Sequence, residues 1–325
     1  MTTRVLITGV NGFVGTHMCN YLLNKNIQVL GTGRSDSCKI KHKNLQYVKC
    51  DLLDSSSVKL LVEMNSFESI IHAAGENNAS QSWNDPQMTV KTNAIGTLHL
   101  LDALRKKPKA HLKNIVVVSS SHEYGKMETT DKISETFLTV PASPYGWSKY
   151  LQTSIAEMYA KSYGFPIVIA RTFNLIGPGS QGVCAQFARQ VAQIENGLQS
   201  PLLMVGNTTV SRDFLDVRDA VEAYWKLLNM HLPAPGEVFN ICRGTSYQIS
   251  EIANKFHKIS QTPFAVMVDP KLYSNNEPLT ITGNNEKLCN MIDWIPKIEL
   301  EVSIRDMLLE WRSLTNASRK AGEKN

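Results

Sequence analysis

Short apolar runs alternate with longer stretches of helical periodicity through the first half of the chain. The apolar runs show no polar alternation, which is typical of strands buried on both faces of a parallel sheet. These runs lie at 5–7, 29–30, 47–48, 70–72, 115–119 and 167–170, and the helical stretches lie at 13–23, 58–64, 90–104 and 145–163. This alternation predicts right-handed crossovers and a doubly wound α/β fold with a parallel sheet.

The pattern loosens after residue 172. Gly177-Pro178-Gly179 interrupts the chain, a helix is predicted over 184–196, and strands are predicted near Phe214 and Phe239. We expect both strands to rejoin the first sheet. The predicted organisation is a first domain over 1–172, rejoined by about 214–243, a smaller lobe from 173–213 and 244–315, and a polar, disordered tail over 316–325.

Composition narrows the class of protein. The 325 residues suffice for about two domains, and 42% hydrophobic residues exclude a disordered chain. The net charge of +5, from 34 basic and 29 acidic residues, is too weak to indicate nucleic-acid binding, although it fits small anionic ligands. No apolar run reaches the ~18 residues of a membrane span, and too few apolar residues precede Gly9 for a signal peptide. We therefore expect a cytoplasmic protein that binds neither membrane nor nucleic acid.

The six cysteines are scattered and form no C-x-x-C pair. Structural zinc sites cluster their ligands, and disulfide scaffolds are smaller and denser in cysteine. We therefore expect reduced thiols and no metal site.

A glycine-rich segment directly follows the first predicted strand and opens the first predicted helix. Gly9, Gly12 and Gly15 have the spacing G-x-x-G-x-x-G. Glycines at such a turn let the backbone approach a diphosphate, and the helix N-terminus supplies unpaired N–H groups. The placement favours a dinucleotide site over a structural turn, which makes the first domain a Rossmann domain. The intervening Asn11, Phe13 and Val14 are expected to contact the cofactor.

The end of the second strand indicates which dinucleotide binds. An NAD site normally places an acidic residue about 20 residues after the glycines. Here Arg34 follows the strand, and no acid occurs before Asp36. An arginine suits a 2′-phosphate, so NADP(H) is favoured, although NAD stays possible. Asp51, after the third strand, is expected either to hold the adenine amino group or to cap the following helix.

Tyr145 and Lys149 form a Y-x-x-x-K pair on a predicted helix. Residues four apart share a helix face, and a nearby cation favours the phenolate, which suits a general acid/base. Ser119-Ser120-Ser121 ends the preceding strand, at the sheet edge where ligands bind in open α/β folds. A serine hydroxyl there can donate to a substrate carbonyl oxygen.

Together these motifs resemble the extended short-chain dehydrogenase/reductase family. The matching segments also include His72-Ala73-Ala74, Asn93 and Arg171-Thr172-Phe173-Asn174, and the resemblance extends to about Trp311. It implies that Lys149 holds the nicotinamide ribose, that Tyr145 is the acid/base and that Ser120 binds the substrate oxygen. It also implies that Leu52, Ala73, Ala74 and Asn93 contact the cofactor, with Asn93 orienting the lysine or a water.

Three later segments, at 186–190, 205–207 and 212–219, resemble one branch of that family, the reductases of GDP-4-keto-6-deoxy-mannose. That resemblance places Ser121, His122, Asn174, Arg189 and Arg212 against a nucleotide-diphosphate sugar. An arginine suits the diphosphate because its planar fork binds phosphate oxygens bidentately.

Two positions depart from the family patterns. Dehydratases carry a carboxylate where this chain has Ser121 and His122, and Glu123 falls one place late. The segment from Tyr273 to Pro278 lacks an arginine that the reductase branch uses for its nucleotide. The first departure argues against a dehydratase, and the second leaves GDP and UDP both open.

The resulting hypothesis is an NADPH-dependent reductase of the C4 keto group of a nucleotide-linked 4-keto-6-deoxy hexose, in deoxysugar biosynthesis. The alternatives are a nucleotide-sugar 4-epimerase with tightly bound NAD and a non-enzymatic dinucleotide-sensing protein. The resemblance also implies a homodimer formed through the helices over 90–104 and 145–163.

Overall fold

A parallel sheet forms the centre of the molecule in the computed structural model, which describes residues 4–107, 112–127, 129, 131–232, 234–273 and 278–322. The strands are β1 (Arg4–Thr8), β2 (Gln28–Gly33), β3 (Leu45–Lys49), β4 (Ser69–His72), β5 (Ile115–Ser120), β6 (Ile167–Thr172), β7 (Asn174–Ile176), β8 (Leu202–Val205), β9 (Ser211–Asp216), β10 (Glu237–Ile241), β11 (Ser246–Gln248), β12 (Ala265–Val268) and β13 (Thr280–Ile281). The central sheet has the order β10-β6-β5-β4-β1-β2-β3, and all its pairings are parallel. Its strands include every apolar run that the sequence analysis identified in the first half.

Helices cover both faces of this sheet. They are α1 (Phe13–Asn24), α2 (Ser55–Met64), α3 (Pro86–Val90), α4 (Gly96–Arg105), α5 (Pro144–Tyr163), α6 (Val183–Glu195), α7 (Val217–Asn229), α8 (Ile249–Ile259), α9 (Glu286–Ile292) and α10 (Leu300–Gly322). Apolar residues of α1 and α7 form the core on one face, and those of α2, α4 and α5 form the core on the other. Burial on both faces explains why β1, β5 and β6 are apolar without alternation.

The prediction of one helix over 90–104 corresponds to three consecutive segments. A π-helical turn at Lys91–Ile95 joins α3 to α4 and carries the buried Asn93. Such turns within helices are frequent at functional sites because they redirect a side chain.

A smaller lobe is built from the later part of the chain. Its core consists of side chains from α6, α8, α10, β8 and β9. Strands β11, β9, β13 and β7 form a second sheet, and β12 pairs with β8. This lobe packs beside the carboxyl ends of the central strands, where it forms the opposite wall of a cavity.

The structure differs from the predicted organisation in two places. The strand near Phe239 lies in the central sheet as β10, but the strand that contains Phe214, β9, lies in the second sheet. Helix α10 continues to Gly322 into the segment 316–325, which the sequence predicts to be disordered. Residues 323–325 lie outside the described part of the chain. Among the described helices, none is both long and apolar enough to cross a membrane.

Candidate active site

A cavity of about 1100 Å³ lies where the carboxyl ends of the central strands face the smaller lobe. It is lined by all the predicted site residues except Asn93 and Arg212, namely Gly9, Asn11, Gly12, Phe13, Val14, Gly15, Arg34, Asp51, Leu52, Ala73, Ala74, Ser120, Ser121, His122, Tyr145, Lys149, Asn174 and Arg189. Ligands of open α/β sheets bind at this edge. The cavity is therefore the candidate active site.

The glycine loop between β1 and α1 can only be built with glycine at its key positions. Gly9 has a φ of +71°, and a Cβ there would lie 2.8 Å from the Cα of Ala74. A Cβ on Gly15 would lie 2.0 Å from the carbonyl oxygen of Gly9. Gly12 begins α1 without a side-chain cap, so the first turn of the helix presents backbone N–H groups to the cavity. The loop is thus shaped to bind a diphosphate.

The loop after β2 brings two cations to the same cavity. Arg34 and Lys39 both line it. The Asn11 side chain fixes this loop, since its Nδ2 donates to the Ser37 carbonyl at 2.9 Å and its Oδ1 accepts from the Lys39 amide at 2.9 Å. The acidic Asp36 pairs instead with Lys49 at 2.6 Å, and this hydrogen bond lowers the pKa of Asp36.

Asp51 also lines the cavity, but it does not cap the next helix. Its Oδ1 accepts from the backbone N–H of Leu53 at 3.0 Å, while Asp54 is the N-cap of α2. The capping alternative for Asp51 is therefore wrong, and its carboxylate faces the cavity beside Leu52.

Ser120, Tyr145 and Lys149 come together at the carboxyl end of β5. Ser143 caps α5 by accepting from the Gly146 N–H at 3.0 Å, so the helix starts next to this strand end. A Cβ on Gly146 would lie 2.6 Å from the His122 carbonyl oxygen, so only glycine lets the helix approach this closely. The close approach places the phenol of Tyr145 beside the hydroxyl of Ser120.

Burial shifts the pKa values of both members of the Tyr145–Lys149 pair. Burial raises the pKa of Tyr145 to about 12, while its hydrogen bond with Ser120 acts in the opposite direction. Burial lowers the pKa of Lys149 to about 8, and the charge of Glu123 opposes this change. The Lys149 Nζ donates to the Val118 carbonyl at 3.1 Å and to the Gln152 Oε1 at 2.8 Å. The lysine is thus held in place before any ligand binds.

Asn93 lies behind the cavity wall rather than in it. Its Nδ2 donates to Ser148 Oγ at 2.8 Å and to the Glu76 carbonyl at 2.9 Å, and its Oδ1 accepts from the Glu76 amide at 2.7 Å. The contact of Asn93 with the cofactor stays a prediction. All of its polar atoms are used to join the segment after β4 to α5, so Asn93 positions the wall.

Glu123 turns away from the cavity and is fully buried. Its Oε2 accepts from the Arg171 Nη2 at 2.9 Å, and its Oε1 accepts from Thr153 at 2.8 Å. Among the described residues that line the cavity, Asp51 is the only carboxylate. Asp51 follows β3, four strands from β5 and hence roughly 19 Å away across the sheet.

The substrate residues expected from the resemblance divide into two groups. Asn174, Arg189, Ser121 and His122 line the cavity, and the ring of His122 packs edge-on against Tyr145 with centroids 5.1 Å apart. Burial and the charge of Arg212 lower the pKa of His122 to about 4. Its ring is therefore neutral near pH 7.

Arg212 does not line the cavity. It is 9% exposed, and its Nη1 donates to the carbonyls of Ser211 at 2.7 Å and Pro278 at 3.0 Å. Its Nη1 is thus used within the smaller lobe, and the contact of Arg212 with the ligand stays a prediction. Of the segment from Tyr273 to Pro278, residues 274–277 lie outside the described part of the chain.

Sequence reasoning missed several lining residues. They include Lys39, Thr92, the loop 179–182, Gln186 and Trp311. The sequence did contain a signal for Lys39, because it is a second basic residue in the loop that carries Arg34. Trp311 had none, since it reaches the cavity only through the packing of α10 on α6. In the described residues, no three His, Cys, Asp or Glu side chains are grouped as metal ligands would be.

Comparison with known proteins gives a consistent result. The family model of GDP-mannose 4,6 dehydratase matches residues 6–307. The chain is 33% identical over 317 residues to GDP-6-deoxy-D-mannose reductase of Pseudomonas aeruginosa, covering 96% of this chain and 98% of that protein. It is also 29% identical over 281 residues to UDP-glucose 4-epimerase of Bacillus subtilis, covering 79% of this chain and 82% of the epimerase.

A solved structure agrees with these relatives. The structure of RMD from Pseudomonas aeruginosa complexed with NADPH superposes with a TM-score of 0.82 at 32% identity, covering 96% of this chain and all of that one. The predicted fold class and the prediction of an enzyme are thereby confirmed. The chain belongs to the GDP-mannose 4,6 dehydratase family, within the extended short-chain dehydrogenases/reductases.

Proposed function

We propose that this protein is an NADPH-dependent reductase of the C4 keto group of a nucleotide-linked 4-keto-6-deoxy hexose. The observation that carries the proposal is the group of Ser120, Tyr145 and Lys149 in a cavity where Asp51, the one carboxylate among the described lining residues, follows a strand four positions away in the sheet. Proton delivery to a carbonyl oxygen needs the serine, the tyrosine and the lysine. Elimination of water needs a further acid/base, and Glu123 is buried away from the cavity.

The residues present fit a dinucleotide. A Cβ at Gly9 or Gly15 would fill the cradle between β1 and α1, and the first turn of α1 offers its N–H groups to a diphosphate. The relative whose structure contains NADPH supports the same cofactor.

The cations of the loop after β2 favour NADP(H) over NAD. Arg34 and Lys39 line the cavity, and Lys49 holds the carboxylate of Asp36. A 2′-phosphate would meet two positive charges, whereas an NAD site would present a carboxylate to the ribose. NAD stays the alternative cofactor.

The chemistry follows from the positions of three side chains. When bound, NADPH supplies the hydride that reduces the keto carbon. Ser120 donates a hydrogen bond to the substrate oxygen, and Tyr145 delivers the proton that the oxygen requires. The ammonium of Lys149 holds a ribose hydroxyl and favours the phenolate that Tyr145 leaves behind, since a nearby cation lowers a phenol pKa.

The substrate half of the cavity fits a nucleotide-diphosphate sugar. Asn174 and Arg189 line this half, and Arg189 is exposed to it without a resolved ion pair in the described residues. A guanidinium there suits a diphosphate. The described residues do not distinguish GDP from UDP, so both nucleotides belong to the proposal.

Turnover with a panel of substrates tests the proposal. Freshly generated GDP-, UDP-, dTDP- and CDP-linked 4-keto-6-deoxy sugars would be mixed with NADPH and the protein, and loss of the reduced nicotinamide absorbance would be followed. We expect oxidation with a GDP or UDP sugar. No oxidation with any of the four would refute the reductase assignment.

The two alternatives predict other results in the same assay. An epimerase would purify with one NAD per chain and would interconvert nucleotide sugars without consuming NADPH. A sensing protein would bind the dinucleotide, and substitution of Tyr145 would change no turnover.

We further propose that the protein acts in the cytoplasm as a homodimer. All six cysteines are free, as expected for a reducing compartment. Exposed apolar side chains along α5 supply the surface for the dimer.

A further inference from the structure

Glu123 joins three elements that carry the reaction machinery. It is fully buried, and its carboxylate accepts hydrogen bonds from Ser119 on β5, from Thr153 on α5 and from Arg171 on β6. The distances to Thr153 and Arg171 are 2.8 Å and 2.9 Å. One side chain thus binds together a strand end, a helix and the neighbouring strand.

Each of these contacts lies next to a residue of the active site. Ser119 directly precedes Ser120, and Thr153 lies one helical turn after Lys149. The Oγ of Ser119 also lies 3.5 Å from the carbonyl oxygen of Lys149 and 2.9 Å from the Oγ1 of Thr153. A shift of the Glu123 carboxylate would therefore move the groups that hold Ser120 and Lys149.

Arg171 makes the anchor rigid. Its guanidinium stacks over the ring of Tyr124 at 4.6 Å, and the Tyr124 hydroxyl donates to the Asn240 Oδ1 at 2.8 Å. Arg171 is 5% exposed, and its Nε has no hydrogen-bond partner among the described residues. A buried guanidinium with one unused donor depends on its remaining carboxylate contact.

We propose that Glu123, held by Arg171, is a positioning residue that fixes Lys149 and Ser120 relative to Tyr145. Neither residue lines the cavity, so both act through the groups that do. This inference rests on the proposed function, because Lys149 is assigned there to the cofactor ribose.

The charges around Lys149 give this role a pH-dependent readout. Burial lowers the pKa of Lys149 to about 8, and Glu123 is the carboxylate that opposes the change. The other groups facing this region are Tyr145 on α5, the buried His72 on β4, Glu76 after β4, and Arg171, which is paired with Glu123. Burial lowers the pKa of His72 to about 3, so it stays neutral and does not titrate with the lysine.

The experiment measures NADPH binding by nicotinamide fluorescence from about pH 6 to about pH 9.5, where Lys149 changes charge at the ribose. The 2′-phosphate of NADPH titrates at the acidic end of this range in the wild type and in the variants alike. The variant is Glu123→Gln, which keeps the size of the side chain and removes its charge. The matched control is Glu157→Gln on the same helix, where an exposed carboxylate pairs with Lys161 at 3.1 Å.

We expect the dissociation constant of Glu123→Gln to rise with pH earlier than that of the wild type. Between about pH 6.5 and about pH 8 its loss of affinity should exceed the wild-type loss by about threefold. With a keto sugar that the wild type reduces, the kcat of Glu123→Gln should fall about tenfold while its KM for the sugar changes less than about twofold. The reason is that misplaced reacting groups slow the chemical step. Glu157→Gln should match the wild type in both measurements.

A second variant covers the case in which Glu123→Gln does not fold because Arg171 is left unpaired. Glu123→Gln/Arg171→Met removes both charges together, so we expect the tenfold fall in kcat with a smaller pH shift, because the two opposite charges are lost as a pair. Wild-type kcat in either folded variant, or a wild-type pH profile in folded Glu123→Gln, would overturn the positioning role. Failure of the wild-type protein to bind NADPH at any pH would instead overturn the proposed function.

Discussion

Tyr145 has the surroundings of a proton donor rather than of a structural tyrosine. Its phenol is buried at the cavity wall, with the Ser120 hydroxyl beside it and Lys149 one turn along the helix. Burial raises the pKa of the phenol, so the residue carries its proton at neutral pH in the ligand-free protein. Proton transfer from such a positioned group contributes about 10²–10⁴-fold to a rate.

Tyr145→Phe should therefore lower kcat by about 10²–10⁴-fold, because it removes the proton and keeps the ring. NADPH affinity should change little, since Lys149 and the glycine loop are untouched. Turnover of the keto sugar and a fluorescence titration with NADPH measure the two quantities. Tyr150→Phe, on the same helix and outside the cavity lining, is the control. Retention of full turnover in Tyr145→Phe would remove the catalytic assignment.

The choice between the two dinucleotides is made by single side chains of the loop after β2. Arg34→Ala and Lys39→Ala should each reduce the ratio of kcat/KM for NADPH to that for NADH by about 10–100-fold, because a charge-assisted hydrogen bond to phosphate is worth about 1.5–3 kcal/mol. Kinetics with both cofactors at two salt concentrations measure the effect. Lys41→Ala, exposed in the same loop but outside the cavity lining, should behave as the wild type. An unchanged ratio in both variants would argue against a 2′-phosphate site.

At the scale of elements, helix α10 connects the core of the smaller lobe to the cavity. Trp311 lines the cavity, and the preceding Glu310 accepts from the Gly179 N–H at 2.7 Å. The following Arg312 binds Glu195 at the end of α6 through two hydrogen bonds of 2.7 and 2.8 Å. Glu310 and Arg312 thus attach the loop at 177–182 and the last turn of α6 to one helix, on either side of Trp311.

The Glu195–Arg312 pair gives a stability prediction with a definite pH dependence. Burial alone would raise the pKa of Glu195, but hydrogen bonds from Arg312 and Gln261 bring it below its usual value. A carboxyl whose pKa is lowered in the folded state stabilises it fully above the unfolded pKa, and this contribution is lost as the pH falls below about 4.5.

Glu195→Gln should therefore lower the free energy of unfolding by about 1–3 kcal/mol at neutral pH, and the difference from the wild type should shrink between about pH 5 and about pH 3. Urea denaturation at several pH values measures it. The control is Glu301→Gln, which breaks an exposed pair with Lys255 and should cost less than about 1 kcal/mol. A pH-independent difference would mean that Glu195 acts through packing alone.

The central elements could be predicted from the sequence because their signals are local. A run such as that around Val116 is apolar on both faces, and a glycine loop between a strand and a helix has one common use. The sheet that a strand joins is not a local property. The segment around Phe214 has the composition of a strand, but it pairs with β11 and β7, where Tyr247 lies opposite Arg212 and Asn174 opposite Phe214. These pairings place β9 in the second sheet.

The same limit applies to the candidate site. Tyr145 and Lys149 could be predicted because residues four positions apart on one helix share a face whatever the fold. For Arg212 and Asn93 the residue type suggested a ligand contact, and the structure adds partners that are distant in sequence: Arg212 Nη1 donates to the Pro278 carbonyl and Asn93 Nδ2 to the Glu76 carbonyl. Whether a polar side chain is free for a ligand depends on those partners, which the sequence does not specify. The helical course of 316–322 was missed because its polar composition carries no packing signal.

At the scale of the whole molecule, one face of α5 is left without a covering element in the described structure. Trp147, Leu151 and Met158 are 49%, 38% and 41% exposed, and they recur at intervals of four and seven residues. This spacing gives a single apolar stripe along a 20-residue helix that is about 30 Å long. The other face of α5 carries Tyr145 and Lys149, so the stripe and the active site share one rigid element.

A stripe of this kind is expected to pack against its equivalent in a second chain, because two-fold symmetry presents the same surface from both partners and a stable dimer buries about 1,200–2,000 Å². Leu151→Arg should therefore convert the protein from dimer to monomer, since a charge would be buried without a partner at the centre of the interface. Sedimentation velocity over a range of protein concentrations measures the change, and Leu60→Arg, at an exposed position of α2, is the control. A wild-type protein that stays monomeric at all concentrations, or a dimeric Leu151→Arg variant, would contradict this interface. If the monomeric variant also loses turnover while its circular dichroism is unchanged, the dimer holds α5, and with it Tyr145, in the geometry that the reaction needs.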